Sequence, residues 1–205
     1  MTKRVLCFGD SNTFGYIPRD FRRYDKNTRW TGILSQLSKD KYTIIEAGCN
    51  NRTAFTDNPA GFEQTGYKIL PSILKSSQPD IVILAIGTND LQFAFSVNEK
   101  DIEQGIKQLI DIIRSYAKET SIIIASPSVI AKEVLSGYFS AMFDITSVQK
   151  SHLLAKIYKK VADESNCAFI DLNKVASVSK LDGLHYMPEE HKKIACAIYE
   201  LLCNF

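Results

Sequence analysis

A serine, an aspartate and a histidine stand at positions that one fold can bring together. Ser11 lies in Gly9-Asp10-Ser11-Asn12, directly behind the first apolar run; Asp182 and His185 lie in Asp182-Gly183-Leu184-His185, ahead of the last helical pattern. A serine hydroxyl is a weak nucleophile until a neighbouring base takes its proton. An imidazole supplies that base, and a carboxylate against its other nitrogen fixes the tautomer and stabilises the imidazolium. Of the 3 histidines, His152 and His191 fall within helical patterns and read as surface or packing residues. His185 falls in a loop. Asp182 is placed to accept its Nδ1–H, leaving Nε2 to face Ser11.

Each fragment alone is weak evidence, because Asp and Ser behind a strand also make turns and helix caps. A third strand-end fragment, Gly87-Thr88-Asn89-Asp90, changes the balance. The Asn89 amide is suited to meet a developing oxyanion. The backbone N–H groups of Ser11 and Gly48 are the other expected donors, since glycine permits close backbone approach. Such a donor is worth about 10²–10³ in rate. Asp10 and Asp90 are expected to order these loops by accepting backbone N–H groups. Two neighbours stay open: Cys49 is either a pocket thiol or an inert neighbour, and Arg52 either binds an anionic substrate group or ties down its loop.

These fragments need a scaffold that delivers them to one edge. Strand-like runs occur at Val5-Leu6-Cys7-Phe8, at Tyr42-Thr43-Ile44-Ile45-Glu46, from Asp80 to Ile86, at Ser121-Ile122-Ile123-Ile124-Ala125 and, more weakly, at Cys167-Ala168-Phe169-Ile170-Asp171. Near-continuous apolar runs indicate parallel strands covered on both faces. Helical stripes fall between them: Trp30, Ile33, Leu34 and Leu37; Ile102, Ile106, Leu109, Ile110 and Ile113; Leu154, Ile157, Tyr158 and Val161; Ile194, Ala195, Ile198, Leu201 and Leu202. The alternation predicts an α/β three-layer sandwich with a parallel five-stranded sheet. Such sheets bind ligands beyond the carboxyl ends of their strands. Ser11, Gly48 and Asn89 follow the first three strands, so all three belong to that edge. The polar and aromatic loops from Tyr16 to Arg29 and from Asn50 to Gly66 should overhang it. The segment from Ser128 to Ser151, with Tyr138, Phe139, Met142 and Phe143, reads as a pocket wall, an oligomer contact or a helix-rich surface insertion.

Composition narrows the class of protein. With 205 residues the chain reads as one domain spanning 1–205. Lys+Arg 25 against Asp+Glu 23 is too balanced for a nucleic-acid surface or an anionic membrane. No GxGxxG follows a strand and no GxxxxGK[ST] occurs, which disfavours a nucleotide-binding protein. The 5 cysteines are odd in number and form no CxxC, so neither a disulfide framework nor a zinc knuckle is signalled. With no signal-peptide pattern and no membrane-length apolar run, a cytoplasmic protein is expected.

The fragments Gly9-Asp10-Ser11-Asn12-Thr13-Phe14-Gly15, Glu46-Ala47-Gly48-Cys49-Asn50, Gly87-Thr88-Asn89-Asp90 and Asp182-Gly183-Leu184-His185 resemble, in order and spacing, the four blocks of the SGNH hydrolases, also called GDSL-type esterases. Asn12 stands where the family often has leucine. The resemblance implies a flavodoxin-like sheet, a Ser11–His185–Asp182 triad, an oxyanion hole from Ser11, Gly48 and Asn89, and no metal or organic cofactor. Arg29-Trp30-Thr31-Gly32, Asn51-Arg52-Thr53 and Asp57-Asn58-Pro59 resemble its arylesterase and acyltransferase branch. That branch implies a small-molecule, short-chain ester as substrate, acyl transfer to alcohols beside hydrolysis, and a homo-oligomer among the expected states. A carbohydrate O-deacetylase or thioesterase with the same triad is the nearest rival, and a catalytically silent binding module the non-enzyme one.

Overall fold

The computed structural model describes residues 2–205. Five strands form one sheet: β1 (Lys3–Gly9), β2 (Tyr42–Gly48), β3 (Ile81–Ala85), β4 (Ser121–Ser126) and β5 (Ala168–Asp171). Their order is β2-β1-β3-β4-β5, and every neighbouring pair is parallel. The chain builds outward from β1 to β2, then crosses back to β3. The strand order therefore reverses between β1 and β3, where doubly wound sheets hold ligands.

Alternation along β1 explains the two faces. Leu6 and Phe8 join Val82 and Leu84 on one side; Val5 and Cys7 join Ile81 and Ile83 on the other. The first face packs against α3 (Gly66–Ser77), α4 (Glu99–Tyr116) and α6 (Leu154–Glu164), through Leu70, Leu74, Ile106, Leu109, Ile113, Leu154 and Val161. The second packs against α2 (Trp30–Leu37) and α7 (Pro188–Leu202), through Trp30, Leu34, Ile194, Ile198 and Leu202. Each such side chain contributes about 1.5–3 kcal/mol by leaving water. The result is an α/β sandwich of three layers.

Two short helices complete the set: α1 (Ser11–Phe14), directly behind β1, and α5 (Ile145–Ser151). α3 has no counterpart among the expected stripes. Pro71 stands inside it, and proline both removes a helical donor and crowds the carbonyl four residues back. Leu70 and Leu74 are nevertheless buried in the core, so packing overrides the local penalty. Among the described residues, no helix is long and apolar enough to cross a membrane.

Candidate active site

The floor of the site is built at the β1 end. Gly9 pairs with Gly48 on one side and Ala85 on the other. The chain then turns into α1, whose N-cap Asp10 accepts the Asn12 N–H at 2.9 Å. Gly15 closes the helix in a left-handed conformation (φ +86°). Ser11 is thereby held at the first turn, at the sheet edge. Burial raises the Asp10 carboxyl to about 6, only partly offset by the Asn12 N–H, the positive field of His185 and Arg52.

The tail of the chain reaches the same place. His185 Nε2 lies 2.9 Å from Ser11 Oγ, and His185 Nδ1 lies 2.8 Å from Asp182 Oδ2. The second Asp182 oxygen accepts the N–H groups of Leu184 and His185, each at 3.0 Å. Burial alone would raise the Asp182 carboxyl. The hydrogen bonds from His185 and the two N–H groups outweigh it and hold Asp182 below the usual carboxylate value. The Asn12 amide donates to the Leu184 carbonyl at 3.0 Å, pinning the histidine loop onto α1. The His185 ring is also packed against Tyr16, with centroids 4.3 Å apart, and Phe139, at 5.3 Å.

Above these groups lies a cleft of about 270 Å³. Ser11, His185, Asn50, Asn51 and Asn89 supply its polar side; Tyr16, Tyr138, Phe139, Met142, Phe143 and Leu184 supply its apolar side. The 128–151 segment is therefore a cleft wall. Of the 16–29 loop, Tyr16 faces the cleft, while Arg19 and Phe21 line a neighbouring recess of about 220 Å³ with Tyr138 and Leu181. Phe21 (62% exposed) and Tyr138 (71% exposed) meet edge to face at the lip, 5.5 Å apart. The loop is anchored through Arg29, whose guanidinium makes a two-pronged contact with Glu46 at 2.7 and 2.8 Å, and through Arg23, which also pairs with Glu46.

Gly48 is placed differently from the expectation. It does not line the cleft. Cys49 donates its N–H to Gly9 O across the β1–β2 pair, so strand alternation turns the Gly48 N–H toward the outer side of this edge strand. The glycine has a packing reason instead: a Cβ there would fall 2.2 Å from Phe14 N and 2.5 Å from Thr13 C. Glycine lets β2 pass against α1. Asn50 and Asn51 of that loop reach the cleft, Asn51 in a left-handed conformation (φ +60°). The Asn51 carbonyl accepts the Asn58 amide at 2.6 Å. Among the described residues, the N–H groups of Ser11, Asn50 and Asn51 have no hydrogen-bond partner. The only sequence signal for Asn51 is that asparagine tolerates this conformation better than most residues.

Asn89 is buried, and its Nδ2 donates to Arg52 O at 3.0 Å while still lining the cleft. The open question over Arg52 closes here. Its guanidinium is buried and donates to the carbonyls of Gly9 (3.1 Å), Ala47 (2.5 Å) and Glu63 (2.9 Å), over the Phe8 ring. It ties strand ends together and does not line the cleft. Asp90 clamps the next stretch, accepting the N–H groups of Ala54, Phe55 and Thr56 at 2.6, 3.0 and 3.0 Å. Cys49 is half-buried and does not line the cleft. His191 is fully buried between Tyr24 and Tyr186, and its Nδ1 accepts the Trp30 N–H at 3.3 Å. His152 is exposed.

The family model described as GDSL-like Lipase/Acylhydrolase matches residues 7–192. The chain belongs to this family. Among solved structures, the native aryl esterase of M. smegmatis is 29% identical, with a TM-score of 0.92 over 99% of both chains. Est24, a carbohydrate acetylesterase from Sinorhizobium meliloti, is 30% identical, with a TM-score of 0.93 over 99% of both chains. Thioesterase 1/protease 1/lysophospholipase L1 of Escherichia coli (strain K12) is 25% identical over 115 residues, which are 56% of this chain and 47% of that protein. The chain thus matches about half the length of that curated relative.

Proposed function

We propose that this protein is a serine esterase that cleaves short-chain carboxylic esters through an acyl-Ser11 intermediate. The observation that carries the reading is the unbroken hydrogen-bonded chain from Ser11 Oγ through His185 to Asp182 at the foot of the cleft. Ser11 attacks the ester carbonyl as His185 Nε2 takes its proton. Asp182 holds the ring and stabilises the imidazolium. The oxyanion lies against the Ser11 N–H, the Asn51 N–H and the Asn89 amide; Asn51 takes the role first expected of Gly48. His185 then protonates the leaving alkoxide, and water or an alcohol releases the acyl group.

The cleft supports the substrate class. At about 270 Å³ it lies near the low end for ligand pockets, which suits a short acyl chain. His185 is its one titratable group apart from tyrosine, which suits an uncharged ester. The aromatic pair at the lip suits a flat leaving group. The likeness to a carbohydrate acetylesterase supports a second reading, O-deacetylation of sugars, because exposed aromatic rings also stack on sugar faces. An apolar wall and restricted volume favour an alcohol over water as acceptor, which supports acyl transfer. Five free cysteines suit a reducing compartment.

The test is a panel of p-nitrophenyl esters from acetate upward, with and without added alcohol, beside acetylated sugars. Turnover should peak at the shortest acyl chains, and added alcohol should divert product from acid to ester. A fluorophosphonate probe should label the wild type stoichiometrically and spare Ser11→Ala. A folded wild type that takes no label and turns over no ester sinks the proposal.

A further inference from the structure

Gln92 is a buried amide behind the site, 8% exposed, which does not touch the cleft. Its Nε2 reaches Asn51 Oδ1 at 2.8 Å and Asn89 Oδ1 at 3.3 Å. It therefore joins the two loops that carry the non-nucleophile donors, one following β2 and the other following β3.

The direction of these amides follows from one fixed atom. The Arg52 carbonyl can only accept, so the Asn89 group that meets it at 3.0 Å must be the Nδ2 end. Asn89 then presents its oxygen to Gln92, so Gln92 must present its nitrogen. That nitrogen in turn requires an oxygen from Asn51. With its side chain held by Gln92 and its carbonyl by Asn58, the left-handed, cleft-lining Asn51 is fixed from two sides, and its N–H has no hydrogen-bond partner.

We infer that Gln92 is a positioning residue of the oxyanion hole: its amide nitrogen ties the Asn89 side chain, whose direction the Arg52 carbonyl sets, to the Asn51 side chain and holds the two loops in register. The inference rests on the esterase reading above. The donors themselves touch the developing oxyanion, whereas Gln92 acts only through them. Its removal should thus weaken transition-state binding more than substrate binding.

The experiment uses p-nitrophenyl acetate and three purified variants, each checked for folding by its melting temperature. Gln92→Met fills the space but cannot donate. Gln92→Glu keeps the shape but faces two oxygens with a carboxylate. Gln92→Asn keeps an amide. Met and Glu should lower kcat by about tenfold or more, below the 10²–10³ of a whole donor, with KM within about twofold of wild type. Asn should recover part of the loss. The factor lost through Gln92→Met should also shrink in an Asn89→Ala background, because much of what Gln92 positions is then gone. Wild-type kcat in folded Met and Glu variants overturns the inference, as does an equal factor in both backgrounds. If Met does not fold, Glu carries the same comparison. A wild type without esterase turnover instead sinks the reading beneath, which separates the two failures.

Discussion

The proposed chemistry reduces to a few side chains whose roles separate by substitution. Ser11→Ala should remove nearly all turnover on p-nitrophenyl acetate while leaving the melting temperature close to wild type, since one buried hydroxyl is lost and the Asp10 cap stays. Asn89→Ala should lower kcat by about 10²–10³ with a smaller change in KM. An unchanged kcat would remove Asn89 from the set of donors. That Ser11, Asp182, His185 and Asn89 gather at one sheet edge was legible because side-chain type and strand-end position carry the information. Gly48 was not, because a sequence shows where a glycine stands but not which way its N–H turns. The proposed roles of Asn51 and Gln92 were not legible for a similar reason: they lie in peptide and amide orientation, which residue type does not encode.

Elements were legible where apolar spacing was uninterrupted. The five strands lie within one or two residues of the expected runs, and Trp30, Ile106, Leu154 and Ile198 mark helices found in place. α3 escaped because Pro71 breaks the stripe that Leu70 and Leu74 belong to. The 128–151 segment kept its alternatives because its aromatics have no helical period; they are spread over short turns and face the cleft. Where β2 meets α1, packing makes a test. Gly48→Ala forces a methyl into the backbone of Thr13 and Phe14, so α1 must shift. A loss of about 1–3 kcal/mol in urea unfolding is expected, together with a fall in kcat because α1 carries Ser11. Unchanged stability and turnover would mean that the two elements slide freely.

At the scale of the whole molecule, two buried groups push stability in opposite directions over the same range of pH. Burial, with the nearby His185, lowers His191 from 6.5 to about 4, so between those values the unfolded chain binds a proton that the folded chain refuses. Its contribution is complete above about 6.5 and is lost as pH falls through 4. Asp10, raised from 3.8 to about 6, has the reverse sign: its contribution is complete below 3.8 and is lost as pH rises through 6. The two partly cancel in the wild type. Asp10→Asn, which keeps an N-cap, should gain stability relative to wild type as pH rises from 4 to 7, on the order of 2–3 kcal/mol. His191→Gln should lose its relative deficit as pH falls over the same range. Parallel wild-type and variant curves of urea midpoint against pH would show that neither group titrates as its burial implies.

Two arginine joints of the molecule differ in kind. Arg29 and Arg23 grip a carboxylate, Glu46, which sufficient acid will neutralise. Arg52 grips peptide oxygens at the ends of neighbouring strands, and these take up no proton at any ordinary pH. Strong acid should therefore unfasten the overhanging flap while the seam beneath the nucleophile still holds.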